Sequence, residues 1–455
     1  MYLKRTVRGA HQHGCEKLFR AALRCAQVFP KLLAIAGAAW VSFAAEGPGT
    51  YFLQDARIVR VSGPVIERGS VLVRNGLIEA VGENLTAPAD AWEIDCKGLT
   101  VYPGLIDALS TWGIPGGNGG RGGGQTAAKG PEDRPLTASW SKAADLLNPT
   151  DRVIQTARDG GFTTAVSFPR GNIFAGQGSV LNLAGDRAGQ MVIADSVGQL
   201  IALRTNGRGG GYPGSLMGAI AYVRQIYLDA DHYKISKAIY EKNPEGLRRP
   251  AYDRALEGVL QSSQVLLPAE TDIEIERMVA FAQELKLKAV LYGGHDASRA
   301  VDLLKRTGTP VLVSLKYPEK PRDADPAAEY PLRVLRFRDR APAAAGALAK
   351  AGVKFAFYSD GQTSPRDLLK AVKKAVDAGL SPDAAIRALT LSAAEIYGVD
   401  GRLGSIDKGK IANLVVSDGD LFTEKTKIKY VFVDGTQFEP LPDERAARPG
   451  RGEEQ

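Results

Sequence analysis

From residue 57 the chain runs in short stretches of alternating apolar and polar positions, the period-two signature of half-buried strands. Arg57–Val61 and Ser70–Val73 predict strands, and Asn75-Gly76 predicts a two-residue hairpin turn into Leu77–Val81. A further strand pair is predicted over Glu93–Asp95 and Leu99–Tyr102, separated by Lys97-Gly98. This region is all-β and too small to enclose a core alone. The middle changes rhythm. Asn148-Pro149-Thr150 opens a helix that Gly160-Gly161 closes, and Phe162–Phe168 follows as a strand rich in Thr, Val and Phe. From residue 263 strands and helices alternate. Val265–Leu267 is a strand, Thr271 or Asp272 caps a helix reaching Leu285, and Ala289–Tyr292 is the next strand. Ala297–Thr307 is a helix stopped by Gly308, and Val311–Leu315 is a strand. Ala341–Ala351 is a helix stopped by Gly352, and Lys354–Tyr358 is a strand. Apolar strands bounded by helices at this spacing predict a parallel sheet covered by helices, and several such units in a row favour a (β/α) barrel over an open doubly wound sheet.

The C-terminal part returns to strands at Ala412–Ser417 and Lys429–Val433, with Asp434-Gly435 as a turn. Two β regions that cannot stand alone therefore flank the body. The expected architecture is α/β: a (β/α)8 TIM-type barrel over residues 104–400, plus a composite β-sandwich built from 45–103 and 401–440. The polar tail 441–455 reads as disordered.

Composition changes this picture little, but the location of charge changes it more. The 455 residues are 44% hydrophobic and 24% charged, which matches an ordinary globular chain rather than a disordered or polytopic membrane protein. The formal charge is +7, yet residues 1–44 hold seven Lys/Arg and only Glu16 as an acid. The remainder has 51 basic against 50 acidic residues, a net of +1, so the body offers no electrostatic reason to expect nucleic acid or acidic lipid as a partner. The leader has the three parts of an export signal: a basic stretch ending at Lys31, the apolar run Leu32–Val41, and small residues at Ser42 and Ala44. That run is too short to span a bilayer. Cleavage after Ala44 would leave an exported, membrane-free protein with Cys96 as its one cysteine and His232 and His295 as its two histidines.

Two glycine clusters interrupt the body. Residues 113–124 hold eight glycines in twelve positions, and Gly209-Gly210-Gly211 follows Arg208 within the second loop, 207–211. Neither carries the Gly-Lys-Ser/Thr of a phosphate loop. They read as mobile surface loops, the first at a place where barrel enzymes carry lids.

Val101-Tyr102-Pro103-Gly104-Leu105-Ile106-Asp107 resembles the lead-in to the first barrel strand of the amidohydrolase superfamily. Leu389–Ala394 resembles that family's Thr-x-Asn-Pro-Ala region. Gly404–Val416 resembles its Gly-Ser-Ile-x-x-Gly-Lys-x-Ala-Asp-Leu-Val-Val segment with Asn413 in the usual Asp place, and Val431–Gly435 its closing hairpin. Ala175–Gly178 and Tyr212–Arg224 resemble segments of exported members related to imidazolonepropionase. The resemblance covers roughly residues 50–440. It implies hydrolysis of carbon–nitrogen bonds other than peptide bonds in a small-molecule substrate, with one or two zinc-like divalent metals activating water.

That family takes its ligands from a His-x-His on strand one, a Lys or Glu on strand four, one His each on strands five and six, and an Asp on strand eight. Here Ala108-Leu109-Ser110 follows Asp107, and Pro268 stands in the strand-five place. His295 and Asp360 match the strand-six and strand-eight positions, so they are the metal candidates, and Asp360 is also the catalytic one. His295 is equally a loop imidazole bonded to a backbone carbonyl, Asp360 equally the cap of a turn, and His232 a solvated helix residue. Glu270 and Lys316 end apolar strands and join Asp360 as barrel-mouth candidates. They would serve metal-free acid–base chemistry, a ligand-binding cluster or an ordinary salt bridge. The expectation is a C–N hydrolase with a depleted metal site, its metal weakly held or absent. The alternative is a silent barrel that binds a small ligand, forms a homo-oligomer, or pairs with an active amidohydrolase subunit.

Overall fold

The structure is a computed structural model and describes residues 49–115, 134, 136–204, 213–321, 323, 325, 327–362, 364–423 and 425–441. The leader 1–44, most of both glycine-rich loops and the tail beyond Leu441 lie outside the described residues. The strands, in chain order, begin with β1 (Thr50–Ile58), β2 (Ile66–Arg74), β3 (Leu77–Gly82), β4 (Trp92–Asp95) and β5 (Thr100–Pro103). The body carries β6 (Leu105–Ser110), β7 (Phe162–Ser167), β8 (Phe174–Gln177), β9 (Ser179–Asn182), β10 (Val192–Ala194), β11 (Gln199–Ile201), β12 (Val265–Ala269), β13 (Ala289–Gly293), β14 (Val311–Ser314) and β15 (Phe355–Tyr358). The chain closes with β16 (Leu414–Ser417), β17 (Ile428–Val433) and β18 (Thr436–Phe438).

Both ends of the chain share one eight-stranded sheet, in the order β18-β17-β16-β5-β1-β2-β3 with β4 also on β1. The joining ladder is antiparallel β16 on β5, Leu414 opposite Pro103 through Ser417 opposite Thr100. The predicted hairpin is present, with Asn75 and Gly76 both at positive φ. The predicted pairing of the strands around 93 and 100 differs. Each lies parallel to β1, β4 on Tyr51–Gln54 and β5 on Arg57–Ile58. Asp55, at φ +58, sits in the register shift between Leu53 and Ala56 and divides β1 into those two halves.

The body is mixed α/β. One sheet runs β10-β9-β7-β6, with β6 and β7 parallel and β9 antiparallel to β7. The other runs β15-β14-β13-β12-β11-β8, parallel from β11 to β15 with β8 antiparallel at its edge. Successive residues of the parallel strands serve two cores. Leu266, Val290, Leu312 and Ala356 join one buried cluster with Ile106 and Val166, while Leu267, Leu291, Val313 and Phe357 join another with Leu105 and Phe162. Burial on both faces is what makes these strands read as apolar runs. Helices intervene as predicted, except that Ala297–Thr307 divides into a 3-10 turn (Ala297–Arg299) and a helix (Val301–Thr307), and Ala341–Ala351 into a 3-10 turn (Ala341–Ala343) and a helix (Ala344–Ala351). Among the described residues no helix is long and apolar enough to cross a membrane.

The sequence motifs turn out to be joints between end sheet and body. A Cβ on Gly104 would lie 2.1 Å from Thr163 Oγ1, so only glycine lets the chain pass from β5 into β6 here. Asn413 is buried, and its Nδ2 donates to Thr164 Oγ1 at 3.0 Å and Asn182 Oδ1 at 2.7 Å while its Oδ1 accepts from Asp434 N at 2.8 Å. An aspartate there could not donate. Asn413→Asp would set two acceptors against each other in the buried joint, and is expected to cost about 1–3 kcal/mol. A lowered urea midpoint at pH 7 checks it, and an unchanged midpoint would refute this account of the joint.

Candidate active site

The candidate residues gather where β12, β13, β14 and β15 end. Thr271 Oγ1 accepts from Glu274 N, and Glu274 Oε2 accepts from Glu270 N at 2.8 Å and Thr271 N at 3.0 Å. This reciprocal cap starts the helix Asp272–Glu284 directly after Glu270 and fixes that residue's backbone. At the end of β13, Gly293 and Gly294 take φ +114 and +66, folding the chain back so that Gly294 N donates to Ala269 O at 2.8 Å and Asp296 N to Glu270 O at 3.0 Å. A Cβ on Gly293 would meet Ala269 O at 2.9 Å. The glycine pair is therefore what delivers His295 to Glu270.

His295 is 4% exposed. Its Nδ1 lies 2.7 Å from Glu270 Oε2 and its Nε2 3.1 Å from the carbonyl of Ser314. Tyr317 and Phe337 flank the ring, at 5.7 and 6.2 Å between centroids. A carboxylate and a carbonyl both accept, so both contacts are hydrogen bonds only when each ring nitrogen carries a proton. In this arrangement neither nitrogen has a lone pair to spare.

Ser314 links His295 to Asp360. Its hydroxyl donates to Asp360 Oδ2 at 3.0 Å and accepts from Lys316 N at 3.1 Å. Asp360 lies just past β15 at φ +50, a conformation uncommon for a residue with a Cβ and one concentrated at functional sites. Lys316 is exposed, and His232 is exposed on the helix Leu216–Lys242, well along the chain from this cluster. Sequence reasoning thus finds Glu270, His295 and Asp360 brought together through Ser314.

It missed three residues. Asp107 is 1% exposed; its Oδ1 accepts from Ser359 N at 3.0 Å and weakly from Leu109 N at 3.4 Å, and its Oδ2 is buried without a partner. Burial pushes its carboxyl up to about 7, and the nearby charge of Asp360 adds to the rise. The signal available was an acid retained inside the apolar run Leu105–Leu109. Tyr292 and Tyr358 meet edge to face at 6.3 Å, and burial pushes both phenols up, with the charges of Asp360 and Glu270 acting in the same direction on each. Both tyrosines therefore lie within the field of the two carboxylates.

At the positions where the resemblance would place imidazoles stand residues other than histidine. Ala108 is fully buried in core, Leu109 packs on the cluster that also receives Tyr292, and Pro268 is half-buried. Ser110 does not open toward the mouth. A register shift between Asp107 and Ser110 pairs it with Ser167, whose hydroxyl lies 3.1 Å from its own. Among the described residues no three His, Cys, Asp or Glu side chains converge to hold a metal ion. The described residues do not fit the metal centre that the resemblance implies.

Residues 263–438 match the model of the amidohydrolase family. Over 409 residues the chain is 24% identical to an amidohydrolase of Hapsidospora irregularis, covering 82% of this chain but 40% of that protein. It is 35% identical over 92 residues to an adenine deaminase of Clostridium botulinum, covering 19% of this chain and 15% of the relative. The chain therefore spans less than half the length of these curated relatives. An amidohydrolase structure from Thermotoga maritima superposes with a TM-score of 0.70 at 25% identity, covering 86% of this chain and all of that one.

Proposed function

We propose that the chain is a protein of the amidohydrolase family, on the match of residues 263–438 to that family's model, and that it hydrolyses carbon–nitrogen bonds in a small polar substrate held at the C-terminal ends of β12–β15. The observation that carries the reading is Asp360, a carboxylate at positive φ on a strand end, oriented by the Ser314 hydroxyl. In this role Asp360 takes the proton of the attacking water as it adds to the substrate carbon. It returns the proton to the leaving nitrogen as the C–N bond breaks. Glu270 and His295 are hydrogen-bonded to each other beside it, and no step passes through a metal. The finer architecture belongs to the same proposal: the two body sheets are parts of one (β/α)8 barrel, and the end sheet belongs to a composite β-sandwich. Support comes from the parallel ladder β11–β15 and from Asp107 of β6 bonding Ser359 just past β15.

The test is a panel of cyclic amides, aminopurines and acylated amines with purified protein. Asp360→Asn is expected to lower kcat/KM by about 10²–10⁴-fold on whichever substrate is turned over. A panel without turnover, or a variant as fast as the parent, would sink the reading.

Export, and a place among exported relatives of imidazolonepropionase, are proposed on the leader and on residues 175–178 and 212–224. N-terminal sequencing of the native protein should begin close to Ala45. An intact Met1 in a cytosolic fraction would count decisively against it.

A further inference from the structure

The helix Leu216–Lys242 packs on the body through one line of buried residues, among them Tyr222, Ile226, Ala230 and Tyr233. Its opposite side is apolar as well. Met217 is 81% exposed, and Leu228, Ile235 and Ile239 are each more than half exposed. At about 100° per residue these four fall on the line directly away from the buried one. A surface helix carries polar side chains on that side, whereas a helix apolar all round is covered all round. From Met217 to Ile239 the bare stripe runs about 33 Å.

The stripe is symmetric about its own middle. Seven residues before and after Leu228 stand Ala221 and Ile235, and eleven residues before and after it stand Met217 and Ile239. These separations are close to two and three whole turns, so all five positions keep to one face. A second copy laid antiparallel, with a two-fold axis at Leu228, sets Leu228 on Leu228, Ala221 against Ile235 and Met217 against Ile239. Sliding one copy by two turns would instead set Ile239 against Arg224 and Ala221 against Lys242.

Charge obeys the same symmetry. Arg224 and Asp231 lie on one flank of the stripe, four residues before Leu228 and three after it, so each comes opposite the other across the axis. Glu284 holds the Arg224 guanidinium through Nε at 2.7 Å and Nη2 at 2.9 Å, which leaves Nη1 without a hydrogen bond among the described residues. Asp231 is exposed. On the other flank Gln225 and His232, both exposed, are opposed in the same way.

We propose that this face is the contact between two copies of the chain, an antiparallel helix pair about a two-fold axis at Leu228. The inference does not depend on the hydrolase reading.

Sedimentation velocity on the full chain should show monomer giving way to dimer over about 1–200 µM, the weak association expected of an interface of one helix per copy. Leu228→Lys brings two ammonium groups together on the axis and should weaken dimerisation at least about tenfold. Asp231→Arg sets guanidinium groups face to face on the flank and should weaken it in the same direction. Both residues are exposed, so an unchanged Tm confirms that the variants fold. The register has its own readout. Met217→Cys and Ile239→Cys proteins, mixed and treated with a short thiol-to-thiol cross-linker, should give far more linked dimer than either protein alone, with the parent setting the background. A monomer across the whole range overturns the proposal, and a monomer that floats with anionic vesicles would assign the stripe to a lipid surface instead. A dimer that survives Leu228→Lys, or cross-linking no greater in the mixture, overturns it equally.

Discussion

Asp107→Asn is expected to stabilise the protein above pH 7 and to remove a pH dependence that the parent shows between about pH 4 and pH 7. The carboxyl moves from an ordinary 3.8 to about 7 on folding, chiefly because burial disfavours its charge. A carboxyl with a raised folded-state pKa binds its proton more tightly in the native than in the unfolded chain. As pH rises from about 4, the unfolded chain loses the proton first, so the native state loses ground. That loss is complete once pH passes about 7, and the penalty is constant above it. Its size corresponds to on the order of 4 kcal/mol. Asparagine keeps the acceptor that meets Ser359 N–H and carries no charge at any pH. Urea unfolding of both proteins at several values from pH 4 to pH 8.5 tests this, since groups common to both cancel in the difference. The variant should match the parent near pH 4 and exceed it above pH 7. A variant that is less stable at pH 8.5 would mean that the charged carboxylate is favourably held, and the argument would fail.

Why the sequence reading reached Glu270, His295 and Asp360 but passed over Asp107 is a matter of range. Val265–Ala269 and its neighbours are apolar on both faces, and Gly308 and Gly352 end their helices at φ +65 and +72. Those signals are local, so the ladder β12–β15 and the residues just beyond its strands could be placed from the chain alone. The strands β8 to β11 are three or four residues each, too short for an alternating pattern to show. The irregularity in β6 is worse for a reader of motifs. One residue of slip exchanges the two faces of a strand, and it is the shift between Asp107 and Ser110 that sends Ser110 to Ser167 instead of to the mouth. Asn413 is a mixed case. Its departure from the family's Asp is visible in the sequence, but its reason, the acceptors of Thr164 and Asn182, appears only once β7, β9 and β16 are side by side.

His295→Ala and chelation are expected to give opposite results, and the contrast decides what the imidazole is for. The ring is 4% exposed, packed between Tyr317 and Phe337, and bonded at both nitrogens. Truncation leaves a void, a buried Ser314 carbonyl that has lost a donor, and a Glu270 side chain without its hydrogen-bond partner. Together these are expected to cost about 3 kcal/mol, read as a lower urea midpoint at neutral pH. Chelation acts on a different quantity. A metal present at a thousand times its Kd would contribute about 4 kcal/mol to stability, and stripping it would lower Tm accordingly. With both nitrogens of His295 engaged and no group of three suitable side chains converging among the described residues, dialysis against EDTA should leave Tm unchanged. Restored zinc should not raise it. The His295→Ala protein should hold the same amount of metal as the parent while being less stable. If chelation instead lowers Tm and zinc restores it, the ring must turn away from Glu270 or Ser314 to ligate, and the protein returns to the metal-dependent hydrolases that its sequence resembles.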